Sequence, residues 1–290
     1  MPRSFVCPET FRSETIAPGV KLESFHPGGL KGPNNEVDVP FPGGQGWTNM
    51  VFLGSPDDDF QMMLPDIRMP SNQFWPLHWH DCWTVVVLVE GSCCVGDWWM
   101  EPGDVFITVP SLEYGPLVSG PQGCRLFEIF AQAHLAPGGY AAEYRDHPTL
   151  QGTNAVFLER SPLNQRNAGR SILPCDGTEN LWKTRLTGNR EWDLGDAGDI
   201  DRGIMRDTRL PPGQSVPPQT YGDWRQIVVM DGDLDAAGRK LGKDDYLLIE
   251  PGTPTPALKA GREGALLIEL MRTARGLQPQ VTAQATEAVA

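Results

Sequence analysis

Two histidines stand one residue apart in the stretch PLHWHDCWTVVVLVEG, residues 76–91. In an extended strand, residues i and i+2 point to the same side, so the imidazoles of His78 and His80 face one point in space. Neutral imidazole is the commonest protein ligand for transition metals, and such a pair offers two nitrogens without distorting the strand. The same alternation puts Cys82 and Thr84 on the face of the histidines, with Trp79 and Trp83 on the other. A surface strand carrying two chance histidines is the plain alternative. With five histidines in 290 residues, this pair is the place to look first for a metal.

Composition narrows the setting. Hydrophobic content of 40% and charged content of 21% describe a globular chain with material for a large core. Gly 32 and Pro 27 point to many turns between short strands. With 24 Lys+Arg against 37 Asp+Glu, the net charge of −13 argues against a nucleic-acid binder, whose footprint would be a basic patch. No apolar run approaches the length of a membrane span, and the start, MPRSFVCPET, lacks the apolar centre of a signal peptide. Cys7, Cys82, Cys93, Cys94, Cys124 and Cys175 form neither a disulfide framework nor a CxxC zinc site. The expectation is a cytoplasmic protein with reduced thiols and a small-molecule substrate, with no nucleic-acid or membrane partner.

The elements that must position the histidines are short β-rich runs. Residues 1–45 read as a Gly/Pro-rich N-terminal arm with one alternating piece near residues 20–25. Strand runs then fill 46–146, a looser segment covers 147–180, and a second series fills 181–275 before a tail at 276–290. The second series repeats the first. A shift of 141 carries Pro76 onto Pro217, Trp83 onto Trp224, Gly91 onto Gly232 and Asp104 onto Asp245. It also carries Pro110 onto Pro251, Gly123 onto Gly264 and Glu128 onto Glu269, without a gap. One all-β unit is therefore written twice.

At these residues the chain resembles the cupin superfamily of jelly-roll (double-stranded β-helix) barrels. The first motif of that family runs His-x-His, three or four residues, Glu, six residues, Gly. His78, His80 and Gly91 match it. Pro102, Gly103, Asp104 and Pro110 match the Pro-Gly turn and short strand of the second motif. The resemblance covers both series and implies a bicupin: two tandem jelly-roll barrels preceded by an arm. In the family the metal is held by the two histidines, the glutamate and a later histidine. Here the glutamate position is Thr84, and the later histidine falls near Glu113 or Tyr114. In the second unit the corresponding residues are Gln219, Tyr221, Arg225 and Thr255. The resemblance thus implies one divalent metal in the first barrel, Fe(II) preferred with Zn, Mn or Ni open, and none in the second. A homodimer is a further expectation from the family.

Glu113 is the preferred third ligand, because two histidines and a carboxylate make the facial triad of non-haem iron. Tyr114 is an alternative ligand, or a proton donor or acceptor, and in a non-redox reaction Tyr114 or Glu113 is the candidate catalytic base. Glu128 and His134 alternate on a later strand and are candidates to reach inward. Glu269 stands at the equivalent place in the metal-less copy, so Glu128 reads first as structural. Cys82 offers either a soft ligand or core packing. Trp75 and Trp98 divide between pocket wall and packing, whereas Trp79 and Trp83 read as packing. Arg68 and Arg125 read as surface residues within reach of a substrate carboxylate. The expected function is a metal-dependent cupin enzyme, a non-haem iron dioxygenase acting on a small apolar or aromatic carbonyl or enol compound. A non-redox metal-dependent lyase, isomerase or hydrolase stays open, as does a non-catalytic ligand-binding cupin.

Overall fold

The computed structural model describes residues 13–25, 47–54, 62–131, 139–150, 156–158, 181–195 and 203–272. Among these, nearly every element is a β-strand, as the turn-punctuated sequence requires. The chain opens with β1 (Ser13–Ala17) and β2 (Val20–Ser24). There follow β3 (Trp47–Leu53), β4 (Met62–Met69), β5 (Phe74–Trp75), β6 (His78–Trp79), β7 (Thr84–Val95), β8 (Trp98–Met100), β9 (Asp104–Thr108) and β10 (Leu117–Phe130). Next come β11 (Gly139–Ala141), β12 (Val156–Leu158) and β13 (Leu181–Arg185). The repeat supplies β14 (Asn189–Leu194), β15 (Gly203–Leu210), β16 (Ser215–Val216), β17 (Arg225–Ala236), β18 (Arg239–Gly242), β19 (Asp245–Ile249) and β20 (Leu258–Met271).

The described chain divides into two compact units. In unit 1 the antiparallel sheet runs β13-β9-β7-β10-β4-β3, with β5 on β10 and β8 on β7. Unit 2 repeats the frame as β2-β19-β17-β20-β15-β14, with β1 outside β2. The run of valines in β7 lacks alternation because both its faces are buried. Val86 and Leu88 pack inward with Phe106, Leu112, Tyr114 and Leu126, and Ile227, Val229, Leu247 and Leu267 do the same in unit 2.

The recurring glycines have a steric cause. Gly91 has φ +73°, and a Cβ there would lie 2.2 Å from the Gly123 carbonyl oxygen. Gly232 has φ +77°, with the Gly264 oxygen 2.1 Å from the same imagined atom. Each pair lies where the ladder between the two longest strands shifts register, and only glycine fits so close a crossing.

The boundaries differ from the expected ones because the first strand of each series crosses over. β2, expected in an arm, pairs antiparallel with β19 and belongs to unit 2. β13, expected to open the second barrel, pairs with β9 and belongs to unit 1. The stretch 147–180, expected to be a linker, contributes β12. That strand joins β11 in parallel, and β11 lies antiparallel to the histidine strand β6. The tail 276–290 lies outside the described residues. No described helix is long and apolar enough to cross a membrane, and the described cysteines Cys82, Cys93, Cys94 and Cys124 are free thiols.

Candidate metal centre

The centre begins at β6, whose backbone is fixed by a two-way exchange with Tyr114. The Tyr114 amide donates to the His78 carbonyl at 2.8 Å, and the His78 amide to the Tyr114 carbonyl at 3.1 Å. The His78 ring is buried, and its Nδ1 lies 2.8 Å from the Pro76 carbonyl oxygen. A carbonyl only accepts, so Nδ1 carries the proton and Nε2 presents a lone pair. Burial, and then the charge of His80, lower the pKa of His78 to about 4, which keeps the ring neutral at physiological pH.

His80 lies beyond it, with ring centroids 5.3 Å apart. Its Nε2 is 3.3 Å from Glu128 Oε1 but forms no hydrogen bond among the described residues. Glu128 comes from β10, and one ligand atom from each of His78, His80 and Glu128 lies within 4.8 Å of the others. Burial pushes the Glu128 carboxyl up. The neighbouring His80, then His78 and the Tyr114 hydroxyl, outweigh that and hold it below the usual carboxylate range. Tyr114 is fully buried and donates its hydroxyl to Glu128 Oε1 at 2.5 Å. Burial first, then the charge and hydrogen bond of Glu128, push the Tyr114 phenol far up, so it acts as a donor.

These donors fit a divalent transition metal. A buried imidazole nitrogen without a hydrogen bond faces a buried carboxylate, beside a second imidazole whose tautomer frees the other nitrogen. An unpaired buried polar atom is costly, and a coordinated cation would remove that cost. His78, His80 and Glu128 would hold the ion, with Tyr114 bracing the carboxylate.

The structure brings Glu128 and Tyr114 to the histidines and leaves Glu113 out. Leu112 and Tyr114 both point into the core, so alternation turns the buried Glu113 away. Burial, then the charges of Glu143 and Glu113, raise the Tyr144 phenol. The third member of the cluster that could hold a metal is therefore Glu128, which the repeat had marked as structural. Cys82 packs with Met63 and Phe130 and supplies no atom to the cluster. Thr84 is buried and donates its hydroxyl to the Cys82 carbonyl at 3.2 Å. Trp75 stands edge-on to His78 with centroids 6.4 Å apart, as a wall of the site. Trp98 packs on the barrel core under the Lys183 ammonium, 5.1 Å from its ring centroid. Trp79 is buried, with Gly139 packed against its indole. His134 lies outside the described residues. Arg125, expected at the surface, is buried between Phe25 and Phe127 and makes a two-point bond to Asp66 at 2.7 and 3.0 Å.

Two wall residues escaped the sequence reading. Phe130 lies edge-on to His80 with centroids 4.6 Å apart. It sits two residues after Glu128, so alternation along β10 carries the signal for it. Tyr140 stacks on His78 at 5.6 Å and 25°, carried there by β11, whose Tyr140 pairs with His78 in register. Burial and the Glu128 charge push its phenol up, while a hydrogen bond with Trp75 works the other way. It stands past the barrel motifs, where no period reaches it.

The centre of unit 2 has the same frame and other contents. Arg225, at the position of Thr84, is buried, and its Nη2 donates to Glu269 Oε2 at 2.9 Å. Its Nη1 donates to Thr255 Oγ1 at 2.9 Å, and its guanidinium carbon lies 4.5 Å from the Tyr221 ring centroid. The Tyr221 hydroxyl donates to Gln219 Oε1 at 2.8 Å. Arg206 adds a second cation 3.7 Å from Glu269.

No family model matches the sequence, and no curated protein matches it. Solved structures do resemble the fold. A proposed glyoxylate-induced protein of Pseudomonas aeruginosa superposes with a TM-score of 0.52 at 12% identity, over 91% of this chain and 92% of the other. A proposed dioxygenase of Nostoc punctiforme gives 0.52 at 10% identity, over 82% and 76%. Oxalate decarboxylase of Lactobacillus farciminis, in complex with formate, gives 0.50 at 11% identity, over 79% and 81%. With the strand order and the internal repeat, these establish the fold: two tandem cupin barrels in one chain.

Proposed function

We propose that the chain is a metal-dependent cupin enzyme whose unit 1 is a non-haem iron dioxygenase acting on a small apolar or aromatic carbonyl or enol compound. The observation that carries this reading is the donor set itself, two imidazoles and one buried carboxylate, with His80 Nε2 lacking a hydrogen bond. Two histidines and a carboxylate are the ligand set of Fe(II) oxygenases. The metal, when bound, supplies Lewis acidity and, for iron, one-electron redox chemistry. The chain does the rest. The Pro76 carbonyl fixes His78, and Tyr114 fixes Glu128. Trp75, Phe130 and Tyr140 form an apolar wall that excludes water and offers flat faces to a flat substrate. The resemblance to a proposed dioxygenase supports the redox reading at the level of fold.

A non-redox reaction is the second reading, favoured by Tyr114. Its phenol stays protonated and hydrogen-bonded to Glu128, a proton donor already in place for a lyase or isomerase using Zn, Mn or Ni. Metal analysis after expression with iron and zinc supplied, followed by O2 consumption with diketones and aromatic ketones, separates the two. About one metal per chain with substrate-dependent O2 uptake is expected, by analogy with open three-ligand sites. Metal without O2 uptake favours the second reading, and a metal-free chain removes both.

A further inference from the structure

Every residue that corresponds to the unit 1 centre has a role around one guanidinium in unit 2. Glu269 and Thr255, in the places of Glu128 and Tyr114, accept from its two terminal nitrogens. Tyr221, in the place of His80, lies under its face, and Gln219, in the place of His78, accepts from the Tyr221 hydroxyl and so orients that ring. The arginine itself grows from the position of Thr84. In unit 1 that residue turns its short side chain back to the Cys82 carbonyl and leaves the space before Glu128 to the histidines.

We infer that the centre of unit 2 is a cation site permanently filled by its own chain: the Arg225 guanidinium is a tethered counterion standing where unit 1 gathers its metal-ligand atoms. The ligand class of the site, once Arg225 is removed, is a free planar guanidinium. Glu269 is buried at 5% exposure, and a carboxylate so placed requires a positive partner. Arginine suits the place better than lysine does. Its planar fork meets two acceptors at once while its face stacks on an aromatic ring. Imidazole is a favoured ligand of divalent transition metals, and Gln219 and Tyr221 supply none. The two centres are therefore alternative solutions on one frame, histidines with an ion or an aromatic cradle with an arginine. This inference stands on unit 2 and does not depend on what unit 1 binds.

Chemical rescue tests it in the full-length chain. R225A is expected to lower the melting temperature of the second unit by roughly 5–15 °C, as loss of one member of a buried pair does. Millimolar guanidinium or methylguanidinium chloride, far below denaturing concentration, then recovers much of the loss, while equal sodium chloride and urea do not. In R225A/E269Q the recovery disappears. Guanidinium acting no better than sodium chloride, or acting equally on R225A/E269Q, overturns the inference. Should R225A fail to fold, R225M and R225M/E269L carry the test. A tethered counterion predicts that the double variant melts well above R225M, because the buried carboxylate, left in R225M with only the partly exposed Arg206 3.7 Å away, is gone, and equal melting of the two overturns it.

Discussion

The two barrels meet one physical demand in different ways. Each sends a glutamate from its longest strand into a buried centre, Glu128 on β10 and Glu269 on β20. In unit 1 that carboxylate faces two imidazoles and the Tyr114 hydroxyl. In unit 2 it faces an arginine. The turns, the crossing glycines and the strand order are shared, so the frame carries no information about which solution is used. Four side chains carry it: those at 78, 80, 84 and 114 and their counterparts 141 residues on. The comparison also changes the meaning of recurrence. A glutamate present in both copies looks structural, yet what recurs is the need for a positive partner.

The largest effect that would break the comparison is loss of metal. H78A/H80A should lower metal content at least about tenfold, since a mononuclear site needs about three protein ligands, while Q219A/Y221A leaves it unchanged; elemental analysis reads both. Equal loss in the two variants would mean that the centres are not distinct. A graft sharpens the point further. T84R/Y114T brings the arginine of unit 2 and its threonine acceptor into unit 1, and the guanidinium should bar the metal while the chain still melts cooperatively in calorimetry. A smaller loss is expected from Y114F, which keeps the ring and removes the hydrogen bond to Glu128. Competition with a chelator should show affinity reduced roughly 10–100-fold, as for other residues that brace a ligand.

Protonation separates the units next. His78 is held at about 4, against a value near 6.5 in the unfolded chain. The unfolded state therefore binds the extra proton first. The metal-free protein keeps its full stability above about pH 6.5 and loses roughly 3 kcal/mol as pH falls toward 4. Calorimetry against pH should show this slope in the native chain and a flatter one in H78Q. The smallest contrast is in the shared frame. G91A and G232A should each cost about 1–3 kcal/mol or somewhat more, and nearly equally, since both replace a left-handed glycine pressed against a carbonyl. Urea melts that gave very different costs would show that the frames are not equivalent.

The fold was legible because turns are written in glycine, proline and aspartate, and these recur at a fixed offset. The histidine pair was legible because alternation along a strand is local. Glu128 was visible as an inward candidate, yet its partners come from other strands. Choosing it over Glu113 required knowing that Leu112 and Tyr114 already point inward. Tyr140 was out of reach, since only the pairing of β11 with β6 brings it to His78. Arg125 looked like a surface charge because its partner Asp66 is 59 residues away on β4.

The crossing of the first strands has a consequence for how the protein must be made. Leu22 pairs with Leu247, a contact that spans most of the chain. As synthesis proceeds, β2 emerges early and has no sheet to join until β19 has been completed far downstream. Non-local pairing of this kind slows folding and prolongs exposure of an unpaired edge. Unit 1 also closes late for its length, since β13 lies well past the rest of its barrel. Cleavage between the two series would strip strands from both barrels, β1 and β2 departing with one fragment and β13 with the other. The repeat is plain in the sequence, but the polypeptide cannot be divided where the repeat begins.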